Sequence, residues 1–150
     1  MMKNVKIKEK IYLVGKIDDR DVPFHRLTLT KGTTYNSYLL FTEKPTIIDT
    51  VDISFGREYI ESLKTLIDLE KIQYIVINHT EPDHSGALGS LAYNAKNATI
   101  VCTQKAVDQL KAMYKLHNRT FLVVKDGDTL DIGEKLLNLW KHLIFIQKKQ

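Results

Sequence analysis

The stretch that most constrains this chain is an apolar, β-branched run, Tyr74-Ile75-Val76-Ile77, that passes directly into Asn78-His79-Thr80-Glu81-Pro82-Asp83-His84-Ser85-Gly86. The apolar run reads as a buried strand. The polar segment after it therefore sits where a strand ends and the chain turns towards a helix. In open α/β architectures that is the usual place for a site. Four side chains able to ligate a metal fall within six positions: His79, Glu81, Asp83 and His84. Two imidazoles and two carboxylates form a mixed nitrogen and oxygen set, without thiolate, that suits iron, manganese or zinc. Four ligands this close cannot all reach one ion comfortably. A pair of metals sharing the loop is the better geometry, with one more ligand group arriving from elsewhere.

Each residue also has a plainer reading. A lone histidine after a strand is commonly a hydrogen-bonded turn residue. Asp83 and Ser85 could serve only as helix N-caps, because both accept from the free N–H groups of a first turn. The metal reading rests on all four side chains occurring together, after a strand and before the small segment Gly86-Ala87-Leu88-Gly89. Asp49 ends another apolar strand, Ile47-Ile48. It is either a carboxylate that orients a ligand histidine from behind or a turn and cap residue. His25 reads as a loop histidine, and His117 and His142 as surface residues.

A chain of 150 residues is expected to form one domain. Its 43% hydrophobic and 27% charged content is ordinary for a globular protein. No apolar run reaches membrane-spanning length, and the N-terminal Met1 to Lys8 lacks the apolar core of a signal peptide. The single Cys102 excludes an internal disulfide and fits a reducing cytoplasm, where it reads as a small core residue in a strand. A nucleic-acid partner is not expected. Lys141, Lys148 and Lys149, with no acid beside them in the last ten residues, supply three of the four net positive charges. The other basic residues are interspersed with acids.

Strands are expected over 5–15, 25–30, 35–41, 46–50, 73–77 and 98–103, with a polar loop over 18–23 and a turn at 31–34. Phe55, Tyr59, Ile60, Leu63, Leu66 and Ile67 recur at helical spacing over 55–70. A short helix is expected over 85–95 and another over 104–115. Residues 120–124 and 129–132 read as a hairpin around Asp126-Gly127-Asp128.

At His79-x-Glu81-x-Asp83-His84 the chain resembles the metallo-β-lactamase superfamily and, within it, the flavodiiron proteins. The superfamily's usual motif is H-x-H-x-D-H, on a strand-to-helix loop of an αββα sandwich. Glu81 in place of the second histidine is the mark of the flavodiiron branch. A harder carboxylate set also favours iron over zinc. Gly32 to Leu39, Ile47-Ile48-Asp49-Thr50 and Gly127-Asp128-Thr129-Leu130 resemble the family too, over residues 9 to 135 in all. The resemblance implies an α/β (α+β) fold, a metallo-β-lactamase-like αββα sandwich of which these residues supply the first half only. It implies a diiron site with His79 and Glu81 serving one iron and Asp83 and His84 the other. In some members the residue matching His84 is not a direct ligand. Flavodiiron proteins reduce O2 to water, NO to N2O, or both. Their electrons come from FMN in a flavodoxin-like domain, with rubredoxin a common donor and head-to-tail homo-oligomers the working form.

The family's third ligand histidine, bridging aspartate, final histidine and FMN domain have no counterpart within these 150 residues. Ile146 stands near the place of the third histidine. The run Leu139 to Ile146, read as an amphipathic terminal helix or strand, matches nothing in the family. Read one frame over, its codons permit Glu-Ala-Pro-x-Ile-His, which resembles the family's approach to that histidine. The expectation is a partial domain over 1–150, truncated by frameshift after about residue 135 and inactive or weakly metal-binding alone. Two rivals are a zinc-dependent hydrolase of the same superfamily and a non-enzymatic half-domain that self-associates.

Overall fold

A computed structural model describes residues 3–18, 22–24, 27–29, 33–35, 37–116, 118–140 and 143–149. His25, His117 and His142 lie outside the described residues. The chain begins with β1 (Lys3–Lys8) and β2 (Ile11–Asp18). These form an antiparallel hairpin, where the sequence suggested one strand over 5–15. The turn falls at Glu9-Lys10, with Lys10 in the left-handed region at φ 68°. No glycine or asparagine marks it, and the hydrophobic alternation runs straight through. Short strands β3 (Val22–Phe24) and β4 (Leu27–Leu29) pair with each other, and β5 (Thr33–Tyr35) pairs with β2.

The centre of the molecule is built from β6 (Tyr38–Leu40), β7 (Thr46–Ile48), β8 (Tyr74–Val76), β9 (Thr99–Cys102) and β10 (Phe121–Val123). Among the described residues the large sheet runs β1-β2-β6-β7-β8-β9-β10, with β5 also attached to β2. It is antiparallel up to β7 and parallel from β7 to β10. The parallel strands are joined by α1 (Gly56–Lys64), α2 (Pro82–Ser85), α3 (Leu88–Asn94) and α4 (Gln104–Met113). The second sheet holds β11 (Asp128–Asp131), β12 (Lys135–Trp140) and β13 (Leu143–Lys148), antiparallel throughout.

Strand period sorts the core into two layers. Leu39, Ile47, Ile75 and Ile100 form one cross-strand row and face the helices, where Tyr59, Leu63, Leu88, Leu91 and Leu110 meet them. Their neighbours Leu40, Ile48, Val76 and Val101 point the other way, onto Leu130, Ile132, Leu137 and Leu139 of the second sheet. Each fully buried leucine or isoleucine contributes about 2 kcal/mol of transfer free energy. The central strands are therefore apolar at successive positions because both of their faces are covered.

The hairpin expected from 120–124 and 129–132 is not formed. Phe121–Val123 joins β9 in parallel, while Asp128–Asp131 pairs with β12. The turn at Gly127, at φ 92°, carries the chain from one sheet to the other. Turn chemistry was readable there, but which strands it joined was not. Of the tail run, Leu139-Trp140 ends β12 and Leu143 to Ile146 begins β13, and these two strands pair antiparallel. The helices, large sheet and small sheet make three successive layers of an αββα arrangement.

Candidate metal centre

Asp49 follows β7 directly. It is 6% exposed and adopts a left-handed backbone at φ 56°, which Asp tolerates better than most residues. Its Oδ1 accepts from the Asn78 N–H at 2.7 Å and the His79 N–H at 3.2 Å. The carboxylate therefore reaches the motif through backbone amides and sets the point where the ligand loop leaves β8. Burial pushes the carboxyl up to about 6 from its ordinary 3.8, against the two amides, which favour the charged form. Two hydroxyls hold the Asp49 backbone. Ser37 Oγ donates to its carbonyl at 2.8 Å, and Tyr59 Oη lies 2.7 Å from Ser37 Oγ. Burial raises the Tyr59 phenol, keeping it protonated.

The far side of the loop is fastened by Thr50. Its N–H and Oγ1 both donate to the His84 carbonyl, at 2.7 and 2.9 Å. Between these anchors Pro82 starts α2, where its missing N–H costs nothing. The His84 and Ser85 amides fold back onto the Glu81 carbonyl at 2.8 and 2.9 Å. Gly86 is required by close approach. A Cβ there would overlap the Ile53 amide nitrogen and lie 2.6 Å from the Pro82 carbonyl oxygen.

The four ligand candidates fall into two pairs. His79 Nδ1 lies 3.9 Å from Glu81 Oε2, and His84 Nε2 lies 3.5 Å from Asp83 Oδ2. The imidazole centroids are 4.9 Å apart with the rings tilted by 40°. Among the described residues no three of His, Cys, Asp or Glu converge as ligands of a single ion. His84 Nδ1 is buried without a hydrogen-bond partner. An imidazole nitrogen held in that way is a donor atom open to an ion or a water. A mixed imidazole and carboxylate set of this kind fits hard or borderline metal ions.

His79 and Glu81 also line a cleft of about 480 Å³ at the C-terminal ends of β8, β9 and β10. Asp83 and His84 are not part of its wall. The wall is largely apolar, with Val76, Ile77, Val101 and Leu139, and Lys105 and Lys125 among its polar groups. Cys102 lines it as well. Its thiol is buried and pushed up to about 12, which leaves it protonated and inert. Thr50, Ser37 and Tyr59 were not singled out from the sequence as site residues. Only the position of Thr50 beside Asp49 offered a hint, since the other two arrive from separate segments.

The sequence profile of the family described as "ODP family beta lactamase" matches residues 33–145. That match takes in residues 139–145 of the tail run, which by sequence alone matches nothing in the family. β12, which lies within the matched range, is integral to the fold, with Leu137 and Leu139 buried against the large sheet. The anaerobic nitric oxide reductase flavorubredoxin of Vibrio vulnificus is 41% identical over 145 residues, covering 95% of this chain and 28% of that protein. An anaerobic nitric oxide reductase flavorubredoxin homolog of Escherichia coli O157:H7 is 42% identical, covering 96% and 34%. The flavodiiron protein of Giardia intestinalis superimposes with a TM-score of 0.86 at 34% identity, over 96% of this chain and 37% of that one. Rubredoxin oxygen:oxidoreductase of Desulfovibrio gigas gives 0.85 at 32%, over 97% and 38%. The chain thus spans about a third of the length of these relatives. With its layers, its strand-end loop and a match over residues 33–145 in agreement, the chain belongs to the ODP family of β-lactamase-type domains and is built as the amino-terminal part of a flavodiiron protein.

Proposed function

We propose that His79, Glu81, Asp83 and His84 supply ligands to a non-haem diiron centre of a protein that reduces NO or O2. The observation that carries this reading is the division of one loop into a His79–Glu81 pair and an Asp83–His84 pair. It is supported by the names of the relatives, a nitric oxide reductase flavorubredoxin and a rubredoxin oxygen:oxidoreductase. Two irons held there would supply open positions and electrons to a diatomic substrate. This chain's residues position the donors. Asp49 fixes the start of the loop through the His79 amide, and Thr50 fixes its end through the His84 carbonyl. Donors held in this way need little reorganisation when an ion arrives. The apolar cleft beside His79 and Glu81 suits an uncharged diatomic and limits the water around it.

By the same reading the electrons come from a rubredoxin-type donor through FMN, and the protein works in the cytoplasm. Self-association belongs to it too. Leu122, on the edge strand β10, is 40% exposed, and Phe145, on the edge strand β13, is 50% exposed. Among the described residues no helix is long and apolar enough to cross a membrane.

The deciding experiment is expression of the full chain with iron and zinc both supplied, followed by metal analysis. Iron in excess over zinc, lost in His79→Ala and Glu81→Ala, is expected. Zinc held regardless of either substitution would overturn the diiron reading and favour a hydrolase.

A further inference from the structure

We propose that Tyr114 is a positioning residue for the ligand loop, acting through Ser85. This rests on the reading of the loop as a metal site. Ser85 closes α2 and is fully buried. Its Oγ lies 2.7 Å from the Thr80 carbonyl oxygen, 3.2 Å from the Glu81 carbonyl oxygen and 2.8 Å from Tyr114 Oη. Carbonyl oxygens only accept, so the one hydroxyl proton of Ser85 is given to the loop backbone. The remaining contact then has a fixed direction, and Tyr114 donates to Ser85. The result is a relay from the Tyr114 hydroxyl to the Ser85 hydroxyl to the Thr80 carbonyl, in which each bond polarises the next.

The geometry gives this relay a purpose beyond packing. Thr80 and Glu81 lie between His79 and Asp83, so their carbonyls set the path of the backbone that presents the ligands. Tyr114 stands at the extended C-cap of α4, its N–H still donating to the Leu110 carbonyl at 2.9 Å. Its ring packs against the main core, a task that phenylalanine would also perform. Only the hydroxyl is needed for Ser85. One turn earlier on the same helix, Gln109 Oε1 accepts from Thr80 Oγ1 at 2.9 Å. The loop is thus held from β7 by Asp49 and Thr50, and from α4 by Tyr114 and Gln109.

The test uses Tyr114→Phe in the full chain, with two readouts. Cobalt(II) is titrated and followed by its visible d–d absorption. The variant is expected to bind about tenfold more weakly, with an altered band shape, as when an outer group that orients ligands is lost. In metal-free protein, amide exchange at His84, Ser85 and Gly86 is expected to quicken about fivefold to tenfold, the size of one lost buried hydrogen bond. The Ile100 amide, bonded within the sheet region, should not change. Ser85→Ala should reproduce both effects, and the double variant should be no worse than either single one. Wild-type cobalt binding that ignores His79→Ala would sink the metal reading, while the exchange rates would still decide the positioning role. Unchanged exchange and an unchanged cobalt spectrum in Tyr114→Phe, or strictly additive effects with Ser85→Ala, would overturn the proposal.

Discussion

Asp49→Asn isolates the cost of a buried charge beneath the ligand loop. The folded-state value of about 6, against 3.8 for the free side chain, means that the native protein holds a proton on Asp49 more tightly than the unfolded chain does. A tighter native proton stabilises the fold at low pH, and that stability is lost as pH rises from about 4 through 6. Each pH unit between the two values corresponds to about 1.4 kcal/mol, so the ionised carboxylate costs up to about 3 kcal/mol above pH 6. Asparagine keeps an oxygen for the Asn78 and His79 amides, tolerates the left-handed backbone and carries no charge. Without metal, in chelator, Asp49→Asn should therefore match the parent near pH 4 and exceed it by about 1–3 kcal/mol at pH 7.5. The assay is urea unfolding at four or five pH values with constant ionic strength. Parallel stability curves, or a variant less stable at pH 7.5 than at pH 4 relative to the parent, would refute the reasoning.

Gly86→Ala should lower stability by about 2 kcal/mol or more, because the new methyl group overlaps backbone on two sides and cannot be relieved by a rotamer change; a change under about 0.5 kcal/mol in the urea midpoint analysis would show that the α2 contact yields easily. The 150-residue chain should hold well under two irons per molecule after dialysis, since each pair offers two donors and no three ligating side chains converge among the described residues; a stoichiometric pair that survives chelator would contradict this. Light scattering at micromolar concentration should show species larger than a monomer, reduced by Leu122→Lys with Phe145→Lys on the exposed edges; a clean monomer counts against self-association.

The central strands were legible because parallel strands covered on both faces must be apolar at successive positions. Ile47-Ile48, Tyr74 to Ile77 and Ile100 to Cys102 all carry that mark. The helix over Gly56–Lys64 was legible from Tyr59, Ile60 and Leu63. The β1–β2 hairpin was not, because Lys10 takes the left-handed position that a glycine would have announced. The Asp126-Gly127-Asp128 turn was visible, yet its flanking strands pair with β9 and β12, partners fixed by tertiary burial rather than by the turn. At the site, the four loop side chains stood out because they are clustered and chemically alike. The groups that hold them did not. Thr50, Ser37, Gln109 and Tyr114 act from other segments through single hydroxyl or amide atoms, and hydroxyl residues carry no sequence mark of their partners.

The glycine turn between the two sheets has a practical consequence. The ring of Trp140, the only tryptophan, lies over Gly127, 3.2 Å from where a β-carbon would sit, and the Gly127 N–H donates to the Leu139 carbonyl at 2.7 Å. The indole belongs to β12 but rests on the bend that leads out of β10. With the residue 47% exposed, its emission is thus an unlabelled optical gauge of the bend where β11 begins to pair with β12. Opening of the β11–β12 pairing would change the signal before the helical layer melted, whereas all-or-none unfolding would make fluorescence and far-ultraviolet dichroism change together.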